Sequence, residues 1–188
     1  MTTSVKVLGS VGLNGSGKDA VVDYLSQEYG WAKISIGDMV RELAIEMNLP
    51  LTSKSLHEIS ERYIASNGER FFPQTVVQKI RASGWKKTAV SGIRTEADVY
   101  TFQEAFGSDF IVVLIECPDE IRFKRMMSRS EDRDPKLFEE FLVRDREEEE
   151  LFKLSKTFSY AKYKIANDGT FEEFHMRIDE LLSSLALA

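Results

Sequence analysis

The sequence predicts an α/β fold in which helices cover both faces of a parallel sheet. Three observations predict it. Short apolar runs alternate with longer amphipathic stretches along the 188 residues, the pattern of strands joined by crossover helices. Phe110 to Ile115 is apolar throughout, as a central strand buried on both faces must be. A glycine-rich loop ending in lysine separates the first apolar run from the first amphipathic stretch.

The elements follow in order. Val5 to Val11 reads as the first strand and ends near a glycine. From Lys18 to Tyr29, Ala20, Val21, Tyr24 and Leu25 recur at helical spacing. Between Gly37 and Gly84 strand signal is scarce, and the stretch reads as three helices near 38–48, 53–66 and 72–82, inserted between the second and third strands. Thr88 to Val90 and Phe110 to Ile115 are buried strands, and Tyr163 to Ala166 is a weaker one. Pro118, Asp119 and Glu120 open a helix with a proline and acids that suit its dipole. Asp134-Pro135 predicts an N-cap followed by a proline in the first helical position. Thr170 and Glu173 form a capping-box pattern that starts a last helix running toward Leu182.

Composition narrows the function. With 43% hydrophobic and 30% charged residues the chain is globular rather than disordered. A formal charge of −6 argues against a general grip on nucleic-acid phosphates. Cys117 is the single cysteine, so an intramolecular disulfide and a thiolate metal cluster are both excluded. Met1 to Lys6 lacks the basic-then-apolar layout of a signal peptide, and no apolar run is long enough to span a bilayer. One soluble, cytoplasmic domain over 1–188 is the expectation. Tryptophans and phenylalanines read as packing, His57 and His175 as surface or packing residues, and Cys117 as a small buried hydrophobe. The run Glu147 to Glu150 reads as a solvated helix face.

The loop carries the chemistry. Gly12-Leu13-Asn14-Gly15-Ser16-Gly17-Lys18 is the G-x-x-x-x-G-K core of a P-loop, placed between strand and helix as that motif requires. Its glycines let backbone N–H groups turn inward around an anion, and the helix N-terminus adds partial positive charge. Gly12, Asn14, Gly15, Ser16 and Gly17 are therefore expected to bind ATP phosphates, together with Lys18 and the first-turn residues Asp19 and Ala20. Lys18 is expected at an exposed loop–helix junction, contributing little to the core. Asp19 is anomalous, because that position usually holds a hydroxyl that ligates Mg²⁺.

Further motifs resemble a family. Gly37-Asp38-x-x-Arg41 resembles the G-D-x-x-R motif of adenylate kinase and related nucleoside monophosphate kinases, and Ser91-Gly92-Ile93-Arg94-Thr95 resembles their D-G-F-P-R-T motif. The resemblance implies that Asp38, Arg41 and Arg94 belong to the acceptor site, where two guanidinium forks grip one phosphate. Arg125-x-x-x-Arg129 resembles the first arginine pair of that family's lid, and Arg133 with Arg144 the second. With Lys18 these four arginines are the implied catalytic residues, carried on a short lid near 126–140. Arg122 and Arg146 are expected in surface ion pairs. Asn167 and Gly169 either border the donor adenine, as in dephospho-CoA kinases, or simply form a turn. The resemblance covers Val5 to Leu182 and is nearest to archaeal-type proteins related to adenylate kinase and dephospho-CoA kinase. It implies a doubly wound P-loop NTPase fold with five parallel strands in the order 2-3-1-4-5 and a helical acceptor insertion near 38–84.

The expected activity is ATP-dependent phosphoryl transfer to a small phosphorylated acceptor, foremost a nucleoside monophosphate, with Mg²⁺ entering with ATP. A dephospho-CoA-kinase-like enzyme and a nucleotide-switched assembly ATPase with a protein or ribonucleoprotein partner are the rivals. Asp98 either faces the acceptor base or closes a capping box with Thr95. Asp19 on the loop and Ser91 at the strand end each carry the residue type expected at the other position, which suggests a swapped pair of Mg²⁺ ligands. The alternative turns Asp19 toward solvent or a lid arginine.

Overall fold

The computed structural model describes residues 5–129 and 134–187. Along the chain these form β1 (Lys6–Val11), α1 (Lys18–Tyr29), β2 (Ala32–Ser35), α2 (Ile36–Glu46), α3 (Ser53–Asn67), α4 (Phe71–Ser83), β3 (Lys87–Ser91) and α5 (Glu96–Phe106). After a 3₁₀ turn come β4 (Phe110–Glu116), α6 (Asp119–Arg129), α7 (Phe138–Phe152), α8 (Leu154–Phe158), β5 (Tyr163–Ala166) and α9 (Phe171–Ser184). All strand pairs are parallel, and the order is β2-β3-β1-β4-β5.

The strand alternation explains why helices lie on both faces. Along β4, Phe110, Val112 and Leu114 join one core with Val7, Val11, Val90 and Phe102, on the side of α2 to α5. Val113 and Ile115 join Leu8, Ala89, Val21, Leu25, Phe174 and Ile178 in a second core, roofed by α1 and α9. Each fully buried Leu, Ile or Phe contributes about 1.5–3 kcal/mol, so neither face can be left uncovered. Two neighbouring strands, β1 and β3, end beside one another, at Val11 and Ser91, and the phosphate-type loop leaves β1 at that end of the sheet. Ligands of open parallel sheets gather at such strand ends.

Local chemistry sets most boundaries. Thr95 with Asp98 and Thr170 with Glu173 close reciprocal capping boxes at the starts of α5 and α9. One start is not where the residues suggested. Asp134-Pro135 does not open α7, which begins at Phe138. The Asp134 carboxylate is instead held by Arg129, 2.7 Å from Nε and 2.6 Å from Nη2, and the aspartate is buried. A bidentate guanidinium outcompetes backbone amides for the same oxygens. The lid expected over 126–140 is described only as the end of α6, residues 134–137 and the start of α7. Arg133 lies outside the described residues. No helix among the described residues is long and apolar enough to cross a membrane.

Candidate active site

The loop between β1 and α1 turns on glycines that no other residue could replace. Gly15 has φ 79° and Gly17 φ 100°. A Cβ on Gly17 would lie 2.2 Å from Nδ2 of Asn167, which donates to the Ser16 carbonyl at 2.8 Å. The sequence distance between Ser16 and Asn167 is closed by the sheet, because Asn167 follows β5 directly. No side chain caps the first turn of α1, so the amides of Lys18, Asp19 and Ala20 are presented without a side-chain acceptor. The Ser16 hydroxyl is buried and has no hydrogen-bond partner among the described residues. Uncapped amides at a helix N-terminus are suited to an anion, whereas the Ser16 hydroxyl packs inward beside Gly12.

Lys18 is buried, not at an exposed junction: only 8% of it is accessible. Among the described residues its Nζ meets neutral oxygens, Asn14 Oδ1 at 3.4 Å and Leu13 O at 3.5 Å. Burial pulls its pKa below the ordinary lysine value, although the Asp19 charge opposes the shift. Burial would raise Asp19, yet Lys18, a hydrogen bond from the Ser91 hydroxyl, and Arg41 and Arg94 outweigh it and hold the carboxyl below its usual value. Asp19 keeps an exposed face while interacting with the Ser91 hydroxyl, so the two residues anticipated as a swapped pair are neighbours and Asp19 is also open to solvent. No three His, Cys, Asp or Glu side chains among the described residues converge as a fuller metal cage.

One cleft of about 890 Å³ opens over this floor. Lys18, Asp19, Arg41, Arg94, Arg129 and Arg144 all line it, so residues from five segments share one space. Arg41 is paired with Asp38, which does not itself line the cleft and holds the arginine from outside. Asp98 borders the cleft, but its Oδ2 accepts from the backbone N–H of Arg94 and of Thr95, each at 2.9 Å. That carboxylate is committed to the turn carrying Arg94, and burial pushes its pKa up against those bonds. The capping box anticipated for Asp98 is present.

Arg125 stands apart from the other arginines. It does not line the cleft, and donates to Asn167 Oδ1 at 3.0 Å and toward Cys117 Sγ at 3.3 Å. It thus supports the residue that supports the P-loop. Gly12, Ser16, Ala20, Asn167 and Gly169 are likewise not cleft-lining; a Cβ at Gly169 would strike the Glu173 carboxylate that caps α9.

Sequence reasoning missed two residues. Arg122, expected at the surface, is 1% exposed. It donates to the Asn14 carbonyl at 2.9 Å, to Asp119 at 2.7 Å and to Asp145, and lies 4.6 Å from the centre of the Phe141 ring. Glu148, expected on a solvated face, instead accepts from Asn14 Nδ2 at 2.7 Å and approaches Arg94 Nη1 at 3.5 Å. A signal existed, since Arg144 and Glu148 are four apart on one helix and must share a face. On the cleft wall Phe152, the last residue of α7, meets the His57 ring of α3 edge-on at 5.8 Å, and Arg94 lies 5.1 Å over its face.

A sequence profile of the AAA domain family matches residues 11–141, from the end of β1 into α7. The UPF0200 protein of Thermococcus onnurineus is 32% identical over 177 residues, covering 93% of this chain and 95% of that one. The chain belongs to the AAA domain family and to the UPF0200 proteins. A UPF0200/UPF0201 protein of Archaeoglobus fulgidus is 34% identical over 188 residues; it covers 99% of this UPF0200 chain, which spans 58% of that relative's length. Among solved structures, shikimate kinase from Bacteroides thetaiotaomicron is similar with a TM-score of 0.63 at 14% identity, over 97% of this chain and 99% of that one. The fold of this UPF0200 member is that of the P-loop kinases.

Proposed function

We propose that this chain transfers the terminal phosphoryl group of ATP to a small phosphorylated acceptor, foremost a nucleoside monophosphate. One arrangement supports the reading: Lys18 and an uncapped anion loop share a cleft with Arg41 and Arg94. A donor and an acceptor phosphate bound at these places would be held end to end. Phosphoryl transfer demands little covalent chemistry from the protein and much positioning and charge compensation. Lys18 and the loop amides would hold the donor phosphates, and Arg41 and Arg94 the acceptor. Arg129 and Arg144 would offset charge as it spreads over the transferred group. Arg125 would act through Asn167, steadying the loop, and Arg133 is assigned to the same lid on its sequence position alone.

Mg²⁺ fits beside this loop. An ionised carboxylate and a hydroxyl, Asp19 and Ser91, face each other there. Asp19 and Ser91 would hold the ion, which would supply neutralisation of the phosphate charge when bound with ATP. A double-mutant cycle tests the assignment. Asp19→Ser and Ser91→Asp should each weaken Mg²⁺-dependent turnover by roughly tenfold or more, and the double variant should recover much of the loss. Additive losses would mean that the two positions do not share the ion.

The reaction itself is tested by following ADP production against a panel of nucleoside monophosphates, deoxynucleotides and dephospho-CoA. Multiple turnovers that depend on one monophosphate are expected. Slow hydrolysis indifferent to every acceptor, and stimulated by a macromolecule, would instead indicate a nucleotide-switched assembly factor.

A further inference from the structure

We propose that Glu148 is a built-in competitor for the acceptor phosphate: its carboxylate engages Arg94 until a phosphate displaces it, and the displacement is felt at Asn14 of the donor loop. The inference rests on the reading of Arg94 as an acceptor-phosphate ligand.

The geometry converges on one oxygen. Glu148 Oε1 accepts from Asn14 Nδ2 at 2.7 Å and stands 3.5 Å from Arg94 Nη1. Its side chain is 16% exposed, while Glu147 and Glu150 of the same run face solvent. Asn14 in turn approaches Lys18 Nζ through Oδ1 at 3.4 Å. Lys18, Asn14, Glu148 and Arg94 therefore form a continuous polar chain from the donor end of the cleft to the acceptor end.

The two ends of Arg94 are held very differently. Its backbone is fixed, with the N–H on Asp98 at 2.9 Å and the carbonyl accepting from Thr157 Oγ1 at 2.9 Å. Among the described residues its guanidinium makes one long ion-pair approach, to Glu148, lies over the face of Phe152 and feels the charge of Asp19. A guanidinium binds best through two parallel N–H donors, which one distant carboxylate oxygen does not satisfy. A phosphate supplies both acceptors and more charge, so it wins the contest at a cost set by Glu148.

The release then reaches the loop. Asn14 is gripped twice, through its carbonyl by Arg122 of α6, which is tied to Asp145 of α7, and through its side-chain amide by Glu148 of α7. Losing the second grip frees the Asn14 side chain beside Lys18 while the first keeps the loop in place. Acceptor binding and donor-loop geometry are thereby coupled through one residue.

The test is inorganic phosphate binding to the full chain, measured by calorimetry for wild type, E148Q, R94Q and the double variant. Glutamine keeps the shape and can still accept from Asn14, but carries no charge to Arg94. E148Q should tighten Arg94-dependent phosphate binding by about threefold or more, the scale of a partly exposed ion pair. The gain should vanish in the R94Q background, and E148A should move affinity in the same direction as E148Q. Unchanged or weaker binding in E148Q, or a gain that persists without Arg94, would overturn the proposal. So would a collapse of kcat in E148Q with phosphate affinity unaltered, which would place the carboxylate at the reacting atoms. If no acceptor supports turnover while the phosphate cycle behaves as expected, the kinase reading falls and the competition at Arg94 stands.

Discussion

Replacing Lys18 with methionine should abolish phosphoryl transfer and yet raise the melting temperature. The activity loss follows from removing the buried cation aimed into the anion loop; a preorganised donor of this kind accounts for about 10²–10³ in rate, or more. The stability gain follows from burial. Lys18 is 8% exposed, the hydrogen-bond partners of its ammonium among the described residues are the neutral oxygens of Asn14 and Leu13, and the attraction of Asp19 only partly offsets the cost of burial. Methionine fills the same channel without a charge to desolvate, a relief of about 1 kcal/mol, or about 2–4 °C in a chain of this size. The pH dependence has a definite sign. A base whose folded pKa lies below its unfolded value makes the unfolded chain bind more protons, so stability rises with pH through that window. The advantage of methionine should be complete below the lowered folded pKa of Lys18 and fade as pH climbs toward 10.5. Thermal melts of the two proteins across pH, with and without ADP, decide it. A folded variant with near-normal turnover would end the phosphoryl-transfer reading, and a lower melting temperature would mean that the lysine is structural.

Arg122→Met should be the most damaging substitution outside the cleft. It strips the Asn14 carbonyl and the Asp145 carboxylate of their shared cation, and Asp145 is only 17% exposed. Burial disfavours the Arg122 charge, but the bonds to Asp145 and Asp119 more than offset this and hold its pKa up. Breaking a buried pair from one side costs several kcal/mol; allowing for the exposure of Asp119, the loss here is about 2–4 kcal/mol, a fall of roughly 5–10 °C. Nucleotide affinity should fall with it, since the loop loses its anchor. Arg122→Lys should recover little, because a single ammonium cannot reach three oxygens in different directions. Differential scanning calorimetry paired with ADP titration checks both effects. A melting temperature within a degree or two of wild type would remove the clamp.

What could be read from the residues was what the chain decides locally. The P-loop, the boundaries of α1 and the Thr95 and Thr170 capping boxes each depend on neighbours within a few positions, and each is found. The apolar run of β4 carried its own evidence of burial on two faces. The misreadings share a different cause. Asp134 looked like a cap until Arg129 claimed it, and Arg122 and Glu148 looked solvated because their partners lie far along the chain. Charge alone does not reveal such pairings; it takes the folded path of α6 and α7 past the loop to bring Asn14 between Arg122 and Glu148. The three lid arginines among the described residues fared unevenly for the same reason: Arg129 and Arg144 reach the cleft, while Arg125 turns to Asn167.

The ring of Phe152 has a kinetic meaning. It touches His57 from the helical insertion and the Arg94 guanidinium from the turn after β3, so three separate parts of the chain close on it. A ligand passing this side of the cleft would wait for those contacts to part. Such openings take microseconds to milliseconds, often slower than the chemistry they enclose. Exchange past Phe152 would therefore be paced by an edge-on ring contact and a cation–π contact of modest strength, not by the charges on the cleft floor.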